Sequence, residues 1–324
     1  MEYSVMFDKR LLFITGKGGV GKTTIAASIA IAAKELGLKT LLVEIGITQN
    51  LEQIFRKWLP VYDITHIEDG LHVIRIDPLR ALEEYIALSL KMQWAAKKFM
   101  DMEMVRYLLQ FLPGWRDLMI LGKIWKLEQE LEKGKGGHPK WDLIVVDSPA
   151  TGHGINFFRI PQVILDTLRT GTLRKQTEAV HEMMTDPART QINVVSLAEE
   201  MPINESIEIH QATIETLKMP FGRVFINMMP PKILGDKQLK LIDELEKEKK
   251  ALKVLDSFFP GGHQRLITAA RQQSARRKLA EGYVASGRKK IDAEFIELPH
   301  IFRETMDREG LGLLAREIID RVNQ

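Results

Sequence analysis

Cysteine occurs at none of the 324 positions. That excludes disulfides, thiolate zinc sites and a cysteine-ligated iron–sulfur cluster, and it fits a reducing cytoplasm. Charge of one sign is scarce as well. The 46 basic and 43 acidic side chains leave a formal net charge of +3, so no global field singles out nucleic acid or an anionic membrane as a partner. The longest small-apolar run, Ile25 to Ala33, falls far short of the roughly 20 residues needed to span a bilayer. The opening MEYSVMFDKR lacks the basic-then-apolar order of a signal peptide, and no fixed-period repeat or low-complexity tract is present. The expected location is cytoplasmic, at most peripheral to a membrane. With 45% hydrophobic and 27% charged residues, the chain has the balance of a globular protein with a large core.

One stretch organises the rest, LLFITGKGGVGKTT at 11–24. Leu11 to Thr15 is an apolar, β-branched run of the length of a buried parallel strand. Gly16 to Thr23 fits G-x-x-x-x-G-K-[ST], and the helix-favouring IAASIAIAAKEL follows, with Gly37 where a helix would end. Strand, glycine loop and helix N-terminus in that order make an anion site, because loop N–H groups and the positive helix end converge on phosphate. Gly16, Gly18, Gly19 and Gly21 allow close backbone approach and positive φ, with Val20 and Thr24 completing the run. Lys22 is expected to reach the β/γ-phosphates of ATP, and the Thr23 hydroxyl to bind Mg²⁺.

Further apolar runs follow at TLLVEIG (40–46), LHVIRI (71–76), WDLIVVD (141–147), QINVVSL (191–197), RVFINM (223–228) and AEFIEL (293–298). Helical segments separate most of them, which predicts an α/β fold: a P-loop nucleotide hydrolase with a doubly wound, mostly parallel sheet flanked by helices. Ligands in such sheets lie at the carboxyl ends of strands, here the loops after Thr15, Glu44, Asp147 and Asn227. Asp147 opens DSPATGHG and takes the Walker B position, where it holds an Mg²⁺-bound water. Gly152 is placed to donate its N–H to the γ-phosphate.

The intervals 77–140 and 156–190 are too long for simple crossovers. We expect one domain over 1–324, with an α-helical subdomain built from insertions at about 78–140 and 156–190. Ile120, Ile124, Leu127 and Leu131 trace a helical stripe. Met92, Trp94, Phe99, Met100, Met102, Met104, Met119 and Trp125 are large flexible side chains that line either a helical core or a groove for a hydrophobic client. The basic segment from Arg265 to Lys290 interleaves one aromatic, Tyr283, and scatters its charges round a helix. It reads as a solvated face, and nucleic acid as an unlikely partner.

The loop carries a second lysine, Lys17, directly after its first glycine, and GKGGVGKTT resembles the deviant Walker A of the signature-lysine ATPases. Within that group the chain resembles the arsenite-pump and tail-anchored-protein-targeting ATPases. TGH after Asp147, the Pro113–Gly114 break in the first insertion, SLAEEMPINES (196–206), FINMMPP (225–231) and ELPHIFRE (297–304) carry the likeness. The resemblance implies a homodimer in which Lys17 crosses to the partner's nucleotide, an adenine read by Asn227 and backed by Pro299, and a catalytic set of Lys17, Lys22, Glu44 and Asp147. Two departures matter. The family's water-orienting aspartate aligns with Gly46, leaving Glu44 as the nearby carboxylate, either for that task or to bond a ribose, a backbone amide or metal-bound water. Without cysteines the family's metalloid and zinc sites are excluded, and His153 reads as a packing or hydrogen-bonding residue.

The implied activity is Mg²⁺-dependent hydrolysis of ATP to ADP and phosphate in a nucleotide-gated homodimer, coupled to binding and release of a hydrophobic protein client or membrane-protein partner. The alternatives are the energising subunit of an anion pump, or a Min- or Par-type positioning ATPase on a membrane or DNA surface. Against an anchored role, the terminal LLAREIIDRVNQ is too mixed in charge to insert.

Overall fold

The computed structural model describes residues 6–46, 50–90, 114–132, 134, 136–258 and 262–322, with all side chains in them except those at 89, 90, 151–154, 236, 249, 251 and 255. The strands are β1 (Leu11–Gly16), β2 (Thr40–Ile45), β3 (Thr65–Glu68), β4 (Leu71–Ile76), β5 (Leu143–Asp147), β6 (Thr190–Leu197), β7 (Phe221–Met229) and β8 (Phe295–Pro299). They form one sheet in the order β3-β4-β2-β5-β1-β6-β7-β8. Every neighbouring pair is parallel except β3 and β4. This is the doubly wound fold the apolar runs predict. The antiparallel edge strand β3 was not among those runs, because THIE has too little apolar character. Its signal is the Asp69-Gly70 turn, with Gly70 at φ +81°, which reverses the chain into β4.

The described helices begin with α1 (Lys22–Glu35), α2 (Asn50–Phe55), α3 (Pro78–Leu90) and α4 (Trp115–Gln129). Then come α5 (Thr151–Thr167), α6 (Thr172–Thr185) and α7 (Glu200–Gln211), the last running into a π-helical turn at Ala212–Leu217. α8 (Asp236–Leu245), α9 (Lys249–Phe258), α10 (Gly262–Arg288) and α11 (Arg308–Val322) complete the set.

Strand residues point alternately to the two faces, so one run feeds two cores. Leu12, Ile14, Leu42, Val73 and Val145 pack with α1, α2 and α11. Leu11, Phe13, Val43, Val146 and Ile192 pack with α4, α5 and α6, while Val224 and Ile226 meet α7 and α10. α1 is buried without interruption from Ile25 to Ala33, enclosed between the sheet and α11. A helix apolar all round must lie inside. It ends as expected at Gly37, φ +89°, where the Leu38 N–H bonds the Ala33 carbonyl at 3.0 Å in a Schellman closure.

Of the predicted stripe on α4, Ile120, Ile124 and Leu127 are buried against the sheet. Leu131 departs from it: it falls beyond the helix, bridges to Pro139 and is exposed. α3 packs on α4, and α6 on both α4 and α5, with Ala81, Leu118 and Met119 at their shared centre. A small cleft, open at its mouth, lies among α3, α4 and α6. Met119 and Trp125 pack inward. Met92, Trp94, Phe99, Met100, Met102 and Met104 lie outside the described residues, as does Pro113 of the predicted break. On α10, Arg271 turns to Asp243 and Glu246, Arg277 to Glu281 and Glu297, and Arg288 to Glu297. No described helix is long and apolar enough to cross a membrane.

α4 is fastened to the amino ends of β1 and β6 by one buried acid. Glu128 accepts from Arg10 Nε at 2.9 Å and Arg189 Nη2 at 2.6 Å, while Arg10 Nη2 also reaches its carbonyl. Removing the acid leaves two guanidinium groups without their shared partner. Glu128→Ala is therefore expected to cost about 2 kcal/mol, after allowing for the partial exposure of both arginines, measured by urea unfolding against wild type.

Candidate nucleotide site

The carboxyl ends of β1 and β5 lie side by side, with Ile14 paired to Asp147, so the glycine loop and the predicted acid meet by strand register alone. Two glycines in the loop are irreplaceable on steric grounds. At Gly16, φ +143°, a Cβ would come 2.2 Å from the Val195 carbonyl oxygen. At Gly21, φ +91°, it would come 2.3 Å from Asn227 Nδ2. Gly19 also has positive φ, whereas Gly18 does not and meets no neighbour closer than Ala150, so only three of the four glycines need the left-handed region.

The loop is strapped to the sheet by Asn227, whose Nδ2 donates to the Val20 carbonyl at 3.0 Å; Val20 is itself buried. Asn227 Oδ1 accepts from the Met228 N–H, leaving the amide one N–H and one lone pair. Pro299 lies on the adjoining strand, in register with Met229. Lys22 Nζ lies within the loop's arch and donates to the Lys17 carbonyl at 2.9 Å. Burial lowers its pKa, and the charges of Asp147 and Glu205 oppose that shift. Thr24, half-buried, occupies the first turn of α1.

Beside the loop runs a row of charge. Asp147, Glu44 and Arg75 are Cα partners across β5, β2 and β4, and all three are buried. Thr23 Oγ1 donates to Asp147 Oδ2 at 2.6 Å. Glu44 Oε1 accepts from the Asn50 and Leu51 N–H groups at 3.1 and 3.3 Å, fixing the start of α2. Asp147 Oδ1 and Glu44 Oε2 have no hydrogen-bond partner among the described residues. Burial pushes the Glu44 carboxyl up to about 7, against the pull of the Leu51 amide, and Asp147 up to about 6, against the Thr23 hydrogen bond and Lys22. The Thr23 hydroxyl and the uncommitted Asp147 oxygen make an all-oxygen donor pair that suits a hard divalent cation keeping much of its water. Gly46, at φ +97°, ends β2, and 47–49 lie outside the described residues.

Lys17 is salt-bridged to Glu205 of α7 at 3.1 Å, with both side chains roughly one-quarter exposed. The family resemblance sends this lysine to a partner subunit; in the single chain it is held by its own. Gly152 falls in the first turn of α5, and the His153 side chain lies outside the described set. Sequence reasoning singled out neither Glu205 nor Arg75. Arg75 had a signal, as the one formal charge in a mostly apolar run; Glu205 is one of three glutamates in SLAEEMPINES and had none of its own.

A glycine loop on a central strand, an acid at the tip of the next strand and a lysine under the arch define a P-loop nucleotide hydrolase. The family model of anion-transporting ATPases matches residues 9–175 and 167–268, and the chain belongs to that family. It is 30% identical over 286 residues to "ATPase BagA" of Mycobacterium tuberculosis, covering 84% of this chain and 83% of the relative. It is 25% identical over 322 residues to "ATPase get3" of Neurospora crassa, covering 96% and 90%. To a "Putative arsenical pump-driving ATPase" of Halobacterium salinarum it is 27% identical, over 71% of this chain and 37% of the relative. The protein is an ATP-binding P-loop ATPase that hydrolyses ATP.

A raised folded-state pKa means that the folded protein holds a proton the unfolded chain has released, so charged Glu44 costs stability as pH rises from about 4.5 towards 7. Glu44→Gln removes that dependence. In nucleotide-free protein its stability relative to wild type is expected to rise by about 2 kcal/mol across this window, read from denaturant midpoints at successive pH values. Parallel pH curves for the two proteins would contradict the assignment.

Proposed function

We propose that this ATPase is Mg²⁺-dependent, works as a nucleotide-gated homodimer, and couples hydrolysis to binding and release of a hydrophobic protein client. The observation that carries the proposal is Lys17: its contact with Glu205 is a partly solvated ion pair. Such pairs are worth no more than about 1 kcal/mol, so a triphosphate on a second subunit can draw the lysine away. Sites completed in this way exist only in the dimer.

The remaining roles follow from position. The amides of Gly16 to Thr24 and the N-terminus of α1 cradle the phosphates. Lys22 exchanges the Lys17 carbonyl for a phosphate oxygen, and with Lys17 neutralises charge on the transferring group. Thr23 and Asp147, the latter through water, would hold Mg²⁺, which when bound would supply positive charge beside the triphosphate. Glu44 Oε2 orients the attacking water, a task worth orders of magnitude in rate. Gly152 offers its N–H to the γ-phosphate, Asn227 presents its free N–H and lone pair to adenine, and Pro299 backs the ring.

Helices α3 to α6 act as a helical subdomain that transmits closure of the dimer to the client. Their cleft, lined by Tyr85, Leu118, Met119, Trp125 and Val180, supports that reading. A second reading, the energising subunit of an anion pump, is favoured by the family's description and by the name of the Halobacterium relative.

Light scattering decides the central point. Wild type with ATP and Mg²⁺ is expected at twice the mass of the nucleotide-free chain, and Lys17→Ala at monomer mass under the same conditions while still binding ATP. Normal turnover by monomeric Lys17→Ala would remove the dimer mechanism. Lys22→Ala is expected to weaken ATP binding about 100-fold or more by equilibrium dialysis, since a desolvated cation–phosphate contact is lost. For the client, Asp147→Asn loaded with ATP is expected to retain a synthetic transmembrane peptide through gel filtration. Stimulation of wild-type ATPase by arsenite or antimonite would instead favour the pump.

A further inference from the structure

Arg75 is buried, with 6% of its surface exposed, yet it is poorly satisfied. One Nη donates to the Leu59 carbonyl at 3.1 Å, and the other lies 3.8 Å from Glu52 Oε1. Its Nε has no partner among the described residues. A buried guanidinium is costly, and packing alone is served better by an apolar side chain. What Arg75 touches accounts for the charge. Glu52 belongs to α2 and itself accepts the Leu59 N–H at 2.9 Å, so the guanidinium closes a knot around that helix and the segment leaving it. The first residues of the same helix, Asn50 and Leu51, hold Glu44 Oε1. On the sheet Arg75 is also the in-register neighbour of Glu44, as Asp147 is on the other side.

We propose that Arg75 is a positioning residue of the ATPase site, acting through α2 to fix the carboxylate of Glu44 with one oxygen uncommitted. The inference rests on Glu44 serving the reaction. Arg75 touches no phosphate. It steadies Glu44 from two sides: by anchoring the helix whose amides hold Oε1, and by placing a fixed positive charge beside the carboxylate. Lysine supplies the charge but only a single point of attachment, where arginine's planar fork reaches the Leu59 carbonyl and Glu52 together.

The test combines kinetics with hydrogen exchange. Arg75→Met is expected to lower kcat about tenfold, the scale of a slightly misplaced catalytic group, while the ATP Kd stays within about twofold. Exchange of the amides in 50–55 should accelerate in the nucleotide-free protein, and Arg75→Lys should recover part of both effects. Glu52→Gln, which loosens the same knot from its more exposed side, should shift exchange and kcat in the same direction by less, and it serves if Arg75→Met does not fold. Unchanged exchange over 50–55 with unchanged kcat overturns the proposal. So does a loss of kcat matched by an equal loss of ATP affinity, which signals general damage. Glu44→Gln separates the two layers. Wild-type kcat there removes the reading of Glu44 and this inference with it. A slow Glu44→Gln beside a fast Arg75→Met removes Arg75 alone.

Discussion

The site depends on loop backbone pressed so close to the neighbouring strands that an added Cβ would have no room. Gly16 lies against the Val195 carbonyl and Gly21 against the amide of Asn227, so the arch of the phosphate loop is pressed onto β6 and β7. The strap from Asn227 to Val20 then fixes the arch from within. That contact aims the loop amides and sets Lys22 beneath them.

Register does the rest. Asp147 reaches Thr23 because β5 pairs with β1 at Ile14, and Glu44 reaches Asp147 because β2 pairs with β5 one step further on. A slip of one residue would turn both acids to the other face of the sheet, away from the loop. The apolar residues that alternate with them in each strand hold that register. The same strands thus carry core packing on one set of positions and chemistry at their tips. The uncommitted carboxylate oxygens are the cost of that arrangement in the nucleotide-free chain, and burial at so central a position raises both pKa values.

The fold was legible where a local pattern dictated structure. The buried strands, the loop, the enclosed helix and its glycine terminus follow from apolar runs and glycine placement alone. β3 escaped because an edge strand buries little and its residues need not be apolar. Leu131 continued a helical spacing past the point where the helix stops, which periodicity cannot sense. The candidate site divided in the same way. Thr23 and Asp147 were readable from motif and strand end, but the partner of Lys17 lies 188 residues further on and depends on how α7 packs beside the loop. Glu44 was visible as a carboxylate; that one of its oxygens is committed to α2 was not.

The enclosure of α1 has a consequence for biogenesis. The helix that carries Lys22 and Thr23 is apolar on every side, and α11, residues 308–322, supplies one of its walls. During translation the loop and its helix are made long before α11, which supplies part of the surface that seats them. Until α11 follows, the wall it supplies is missing, and the apolar side chains of α1 that pack on it lack that partner.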